Sequence, residues 1–158
     1  MARGDDHADA LAAANDELIS FAGSCSQEQW AMLVPGEDWS VGVLVHHCAL
    51  GHDVGTSWIR QMVETGDVPG TPEELDATNA EHAAEFAAIG IAETVALLQR
   101  NGASAVAYLR TLSDEELDRG AVFGPAGGGT FTVERFASVL ARHPLAHLAH
   151  AREALAGA

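Results

Sequence analysis

The stretch TVERFASVLARHPLAHLAHAREALA, residues 132–156, carries its apolar side chains at helical spacing and not in alternation. At 100° per residue, Val133, Phe136, Val139, Leu140, Ala151 and Ala154 gather on one face. That predicts an amphipathic helix from about Thr132 to Ala156, capped by Thr130 or Thr132. On the same projection His143, His147 and His150 fall within roughly 40° of Phe136, so three imidazoles are expected to point toward a core. His143 and His147 are one helical turn apart and can offer two ring nitrogens to a single ion. Pro144 between them removes a backbone donor and frees the carbonyl of Leu140, which predicts a bend to which no role is assigned.

Working back along the chain, the same periodicity recurs. A first helix is expected from about Asp5 to Ala22, with Leu11, Leu18, Ile19 and Phe21 as its stripe and Asp5, Asp6 and Asp9 in its first turn. A short turn near Gln27–Leu33 runs into Pro35-Gly36. Ser40 is the expected N-cap of a second long helix that continues to about Glu64. Residues 72–112 are Ala-rich, with Gly90 and Gly102 as kinks or breaks, which predicts one kinked helix or two collinear ones. Ser113 and Glu116 form a capping box for one further turn. Residues 120–129 are expected to form a loop whose Gly-Pro-Ala-Gly-Gly-Gly run is a flexible linker. As a phosphate cradle it lacks the Lys-Ser/Thr ending and the preceding strand. The sum is an all-α, antiparallel four-helix bundle with essentially no sheet, in a single domain spanning residues 1–158.

Composition narrows the partners. The 158 residues include 23 acidic and 8 basic side chains, every basic one an arginine, for a formal net charge of -15. Such a charge repels phosphate backbones and anionic lipid surfaces, so no nucleic-acid or membrane partner is expected. No apolar run reaches membrane-spanning length, and nothing at the N-terminus has a signal-peptide pattern. Cys25 and Cys48 are too few for a disulfide framework. A cytoplasmic, reduced protein is therefore expected, as a homodimer acting on a small molecule.

The second helix carries His46, His47 and His52 around an apolar centre near Leu44 and Cys48. His46 points roughly 155° from that centre, His52 about 40° and His47 about 100°. Periodicity by itself favours His52, leaves His47 open at the edge of the stripe and disfavours only His46. His7 and His82 read as exposed helix-surface residues. Cys48, adjacent to His47, diverges from it by about 100° and reads as a buried, inert thiol.

The run Gln29-Trp30-Ala31-Met32-Leu33-Val34-Pro35-Gly36-Glu37-Asp38-Trp39-Ser40-Val41, followed by Val45-His46-His47, resembles the DinB-like superfamily. In that family a Trp-Ser/Thr-Val/Pro signature precedes a metal-binding His eight residues after the Trp, which falls on His47. The family's closing His-x-x-x-His is matched by His143-Pro-Leu-Ala-His147, followed by Arg152-Glu153-Ala154-Leu155. Asn79 and Leu112-Ser113-Asp114-Glu115-Glu116-Leu117 are similar to its third helix, so the resemblance covers nearly the whole chain. It implies a four-helix bundle holding zinc or nickel on His47, His143 and His147. It also implies a low-molecular-weight thiol such as mycothiol or bacillithiol as cosubstrate, nearest in character to the metal domain of mycothiol-dependent maleylpyruvate isomerases. The chain ends at Ala158 without the extra C-terminal domain of those enzymes, which puts isomerase activity itself in doubt.

Three imidazoles leave coordination positions open, as a catalytic ion requires and a closed structural one does not. A divalent ion there would favour thiolate at neutral pH, or activate water. The expected function is thus a metal-dependent transferase or isomerase using a small thiol. The alternative is a non-catalytic metal-binding or stress-responsive protein. Trp58 and Asn79 are candidates for binding the substrate, and no residue is assigned as catalytic. No Ser/His/Asp order or dinucleotide fingerprint is present, which leaves hydrolysis by a nucleophilic serine and hydride transfer without support.

Overall fold

The computed structural model describes residues 2–157. Four long helices form a bundle: α1 (Arg3–Ser24), α3 (Val41–Thr65), α5 (Ile91–Leu109) and α7 (Val133–Ala156). Between them lie the short helices α2 (Gln27–Trp30), α4 (Pro72–Glu85) and α6 (Asp114–Leu117). The helix starts follow the cap chemistry. Ser40 Oγ accepts from Val43 N–H and Thr132 Oγ1 from Arg135 N–H. Ser26, Thr71 and Ser113 each form a full capping box with the Gln or Glu three residues on.

α1 packs on α5 and α7, and α3 packs on the same two. Consecutive long helices α1 and α3 therefore lie across the diagonal, as do α5 and α7. Residues 25–40 and 110–132 are long enough to make those crossings. The segment 72–112 is two helices separated at residues 86–90, with Gly90 as the N-cap of α5. Gly102 breaks nothing. It sits inside α5 where a Cβ would collide with the Asn15 side chain of α1.

The expected absence of sheet is corrected. Strands β1 (Asp67–Val68), β2 (Gly120–Phe123) and β3 (Gly129–Thr132) form a small sheet in the order β1-β2-β3. β1 runs parallel to β2, and β2 antiparallel to β3. The glycine-rich run is not a flexible linker. Gly124–Ala126 form a 3-10 turn, and Gly127 and Gly128 adopt φ of 85° and 79°, which closes the hairpin. Four-residue strands alternate too briefly to stand out from noise in a sequence. Here they are stabilised by packing, with Ala121 and Phe123 buried beneath the bundle end.

Two apolar clusters fill the interior. One, at the sheet end, includes Leu11, Ile59, Met62, Leu109, Leu117, Val133 and Leu140; the other includes Leu18, Trp30, Leu44, Leu98 and Leu148. Asn15 and His52 lie between them in the sequence of their helices, and both are buried. His52 Nε2 is 2.9 Å from Asn15 Oδ1, and Asn15 Nδ2 donates to the Leu98 carbonyl at 3.2 Å. His52, the histidine that periodicity favoured as a ligand, is thus committed to a core hydrogen bond.

Candidate metal centre and its pocket

Three helices each turn one stripe toward a common cavity of about 480 Å³. α3 contributes His47, Leu50, Gly51, Val54, Gly55 and Trp58, which share one helical face. α4 faces them with Leu75, Thr78, Asn79 and His82, and α7 adds Phe136, Val139, Leu140 and His143. Phe123 and Pro125 close the sheet end. The packing of α4 against the 3-10 turn anchors that helix at the same end. The cavity exists because α4 stands beside the bundle and not inside it: His82 is its only buried residue. Gly55 gives Leu140 its room: a Cβ at that position would lie 2.6 Å from Leu140 Cδ1, so the leucine side chain would have to shift.

At the other end His47, His143 and His147 converge, with one ring nitrogen from each lying within 4.8 Å of the others. The His47 ring meets those of His143 and His147 edge-on, both at centroid distances of 5.3 Å. The Nε2 atoms of His143 and His147 are 2.9 Å apart. Two imidazole nitrogens this close could be bridged by a single ion, which His47 would complete as a third ligand. Burial, reinforced by neighbouring imidazoles, lowers the pKa of His47 to about 3 and of His143 to about 4, and burial lowers that of His147 as well. All three are therefore neutral near pH 7, the form that donates a lone pair.

His147 Nδ1 is buried and has no hydrogen-bond partner among the described residues. The carboxylate of Glu37, from the loop before α3, has Oε1 3.9 Å from it and 3.0 Å from His150 Nδ1. His150 is 54% exposed, which corrects the expectation that it faces the core. The helical face is simply too wide at that end, where Ala151 and Ala154 already fill the space against the bundle. Val139, assigned to the apolar face, opens instead onto the cavity.

One further expectation is corrected: His82, expected on the surface, is buried. His46, disfavoured as a ligand, lies outside the three-histidine group but is buried too. His46 Nδ1 is 2.9 Å from His82 Nε2, and the rings stack at 10° with centroids 5.2 Å apart. The helical projection treated α3 as having one buried face. α4 covers a second one, so both sides of the helix are enclosed. His7 is half-buried, with Nε2 3.7 Å from Glu134. Cys48 is fully buried and its thiol pKa is pushed up by desolvation, in keeping with an inert side chain.

Trp58 and Asn79 both line the cavity, and His47, His143 and His147 come together. Sequence reasoning missed Glu37, His46 and His82. His82 could have been found from the spacing of Leu75, Thr78, Asn79 and His82 along one helical stripe. Glu37 lies in a loop, where no periodicity exists to place it.

Residues 10–151 match the profile of the DinB superfamily. The fold superposes with a TM-score of 0.81 on YfiT from Bacillus subtilis, at 21% identity, covering 96% of this chain and 85% of that one. That protein is described as a probable metal-dependent hydrolase with an unusual four-helix bundle topology. At this identity the likeness is one of fold. A search of curated proteins returns no match.

Proposed function

Starting from the DinB superfamily, to which this chain belongs, we propose that His47, His143 and His147 hold one divalent metal, zinc or nickel. We further propose that the protein is a metal-dependent transferase or isomerase using a low-molecular-weight thiol such as mycothiol. The observation that carries the reading is the convergence of three neutral imidazoles at one end of a largely apolar cavity. Bound there, a divalent ion supplies Lewis acidity that lowers the pKa of a coordinated thiol or water. His47 and His143 face the cavity and orient the site toward a substrate in it. His147 supports them from the same face of α7. Leu50, Val54, Trp58 and Phe136 exclude water around the reacting groups, and Asn79 offers an amide to a polar substituent.

Hydrolysis is the second reading, favoured by the description of the YfiT neighbour. The same three side chains would serve, with water in place of the thiol. Cobalt substitution separates the two. Addition of mycothiol or a simple thiol is expected to produce a thiolate-to-metal charge-transfer band that disappears in His147→Ala. A cobalt spectrum indifferent to thiols, in a protein that hydrolyses activated esters, would replace the transferase reading with the hydrolase one.

A further inference from the structure

We infer that the cavity takes an uncharged, largely apolar small molecule, its body among Trp58, Phe123 and Phe136 and its reactive end toward His47 and His143. Two of the large hydrophobic residues left exposed, Val54 at 43% and Val139 at 38%, are cavity-wall residues. Both add apolar surface to the cavity wall, and apolar surface without a partner in such a cavity marks a ligand site. In the aromatic wall Trp58 meets Phe123 edge to face, with centroids 5.1 Å apart at 81°, and Phe136 tilts against Phe123, 4.9 Å apart at 47°. That leaves flat and edge surfaces for a ring-sized group.

Charge points the same way. None of the eight arginines lines the cavity, and the chain contains no lysine. Among the described residues Glu74 is the one carboxylate on the wall, and its Oε2 already accepts from Thr71 N–H at 2.9 Å as part of the α4 capping box. Away from the histidine end, a ligand carboxylate or phosphate would lose water against apolar walls and find no countercharge there, in a chain whose net charge is -15. An amide, hydroxyl or carbonyl would meet Asn79 instead.

The inference rests on the cavity being the substrate site, but it does not require the metal, so the test uses metal-free protein. Calorimetric titration with 2-naphthalenemethanol and with 2-naphthoate compares two ligands of one shape and different charge. The neutral alcohol is expected to bind at least about tenfold more tightly than the carboxylate. Val54→Arg places a cation on the wall at a position open enough to accept it without disturbing the core. There the preference is expected to shrink or reverse through gained naphthoate affinity. Absence of binding by either ligand, equal binding, a wild-type preference for naphthoate, or a preference unmoved in Val54→Arg would each overturn the inference. Metal content is measured separately on the wild type. A protein that discriminates by charge but holds no stoichiometric metal would refute the proposed catalytic function and leave the substrate class standing.

Discussion

Glu37 belongs to no helix, yet its carboxylate sits 3.9 Å from the buried Nδ1 of His147 and 3.0 Å from His150. A ligating imidazole is commonly held by a carboxylate on its other nitrogen, which fixes the tautomer and raises ligand basicity. Glu37 is therefore expected to act as a positioning residue for His147. Glu37→Gln should weaken zinc binding about 10–100-fold in chelator competition, with the melting temperature of the metal-free protein unchanged. A shared fall in metal-free stability would indicate a structural role only. The choice among the histidines of α3 is tested at the same scale. Metal content, measured on protein purified without affinity resin, should collapse in His47→Ala and survive in His46→Ala. A site emptied by His52→Ala alone would reassign the third ligand.

At the scale of the element, α4 is set beside the bundle and held at both ends. Pro125 and Gly70 neighbour its start, and the His46–His82 contact together with the packing of Phe86 on His46 holds its finish. Little of α4 is buried in between, so its local stability depends on those ends. His82→Ala is expected to raise amide exchange across Pro72–Glu85 while α1, α5 and α7 keep their protection. Unchanged exchange in α4 would show that the His46–His82 contact does not hold it. The interior of α5 behaves differently. Gly102 lies against Asn15, which is buried and tied to both His52 and Leu98. Gly102→Ala must displace that side chain, with an expected loss of about 1–3 kcal/mol by denaturant unfolding despite the better helix propensity of Ala.

For the whole molecule, buried neutral histidines set a pH dependence. Burial depresses the pKa of His52 from 6.5 to about 4. Between those values the unfolded chain binds more protons than the folded one, so stability rises with pH. The contribution is complete above pH 6.5 and is lost as pH falls toward 4. For His52 this amounts to about 2 kcal/mol by pH 5 and about 3 kcal/mol by pH 4. Urea unfolding of the metal-free protein between pH 7 and 4 should show at least this slope, because His46, His47 and His143 add to it in the same sense, and His52→Asn should make it shallower by the His52 share without abolishing it. A stability that holds level or rises on acidification would contradict the buried, neutral state.

The helices were legible in the sequence because caps and apolar periodicity are local: Ser40, Thr132 and the Ser113–Glu116 box mark their ends without reference to the rest of the fold. The i, i+4 pair His143 and His147 was equally legible, since one helix sets its geometry. Periodicity did not choose His47 over His52, and the DinB-like resemblance did so. The fold supplies the physical reason: His52 meets Asn15 from α1, and His47 meets two imidazoles from α7. The diagonal placement of α1 and α3, the small sheet, the burial of His46 and His82 under α4 and the approach of Glu37 to His147 depend on partners far away in sequence. No pattern within one segment encodes where another segment will pack. Caps and periodicity thus mark which segments become helices and which residues are able to ligate. Which of those residues meet, and what cavity they face, follows from contacts between elements and not from the propensities within them.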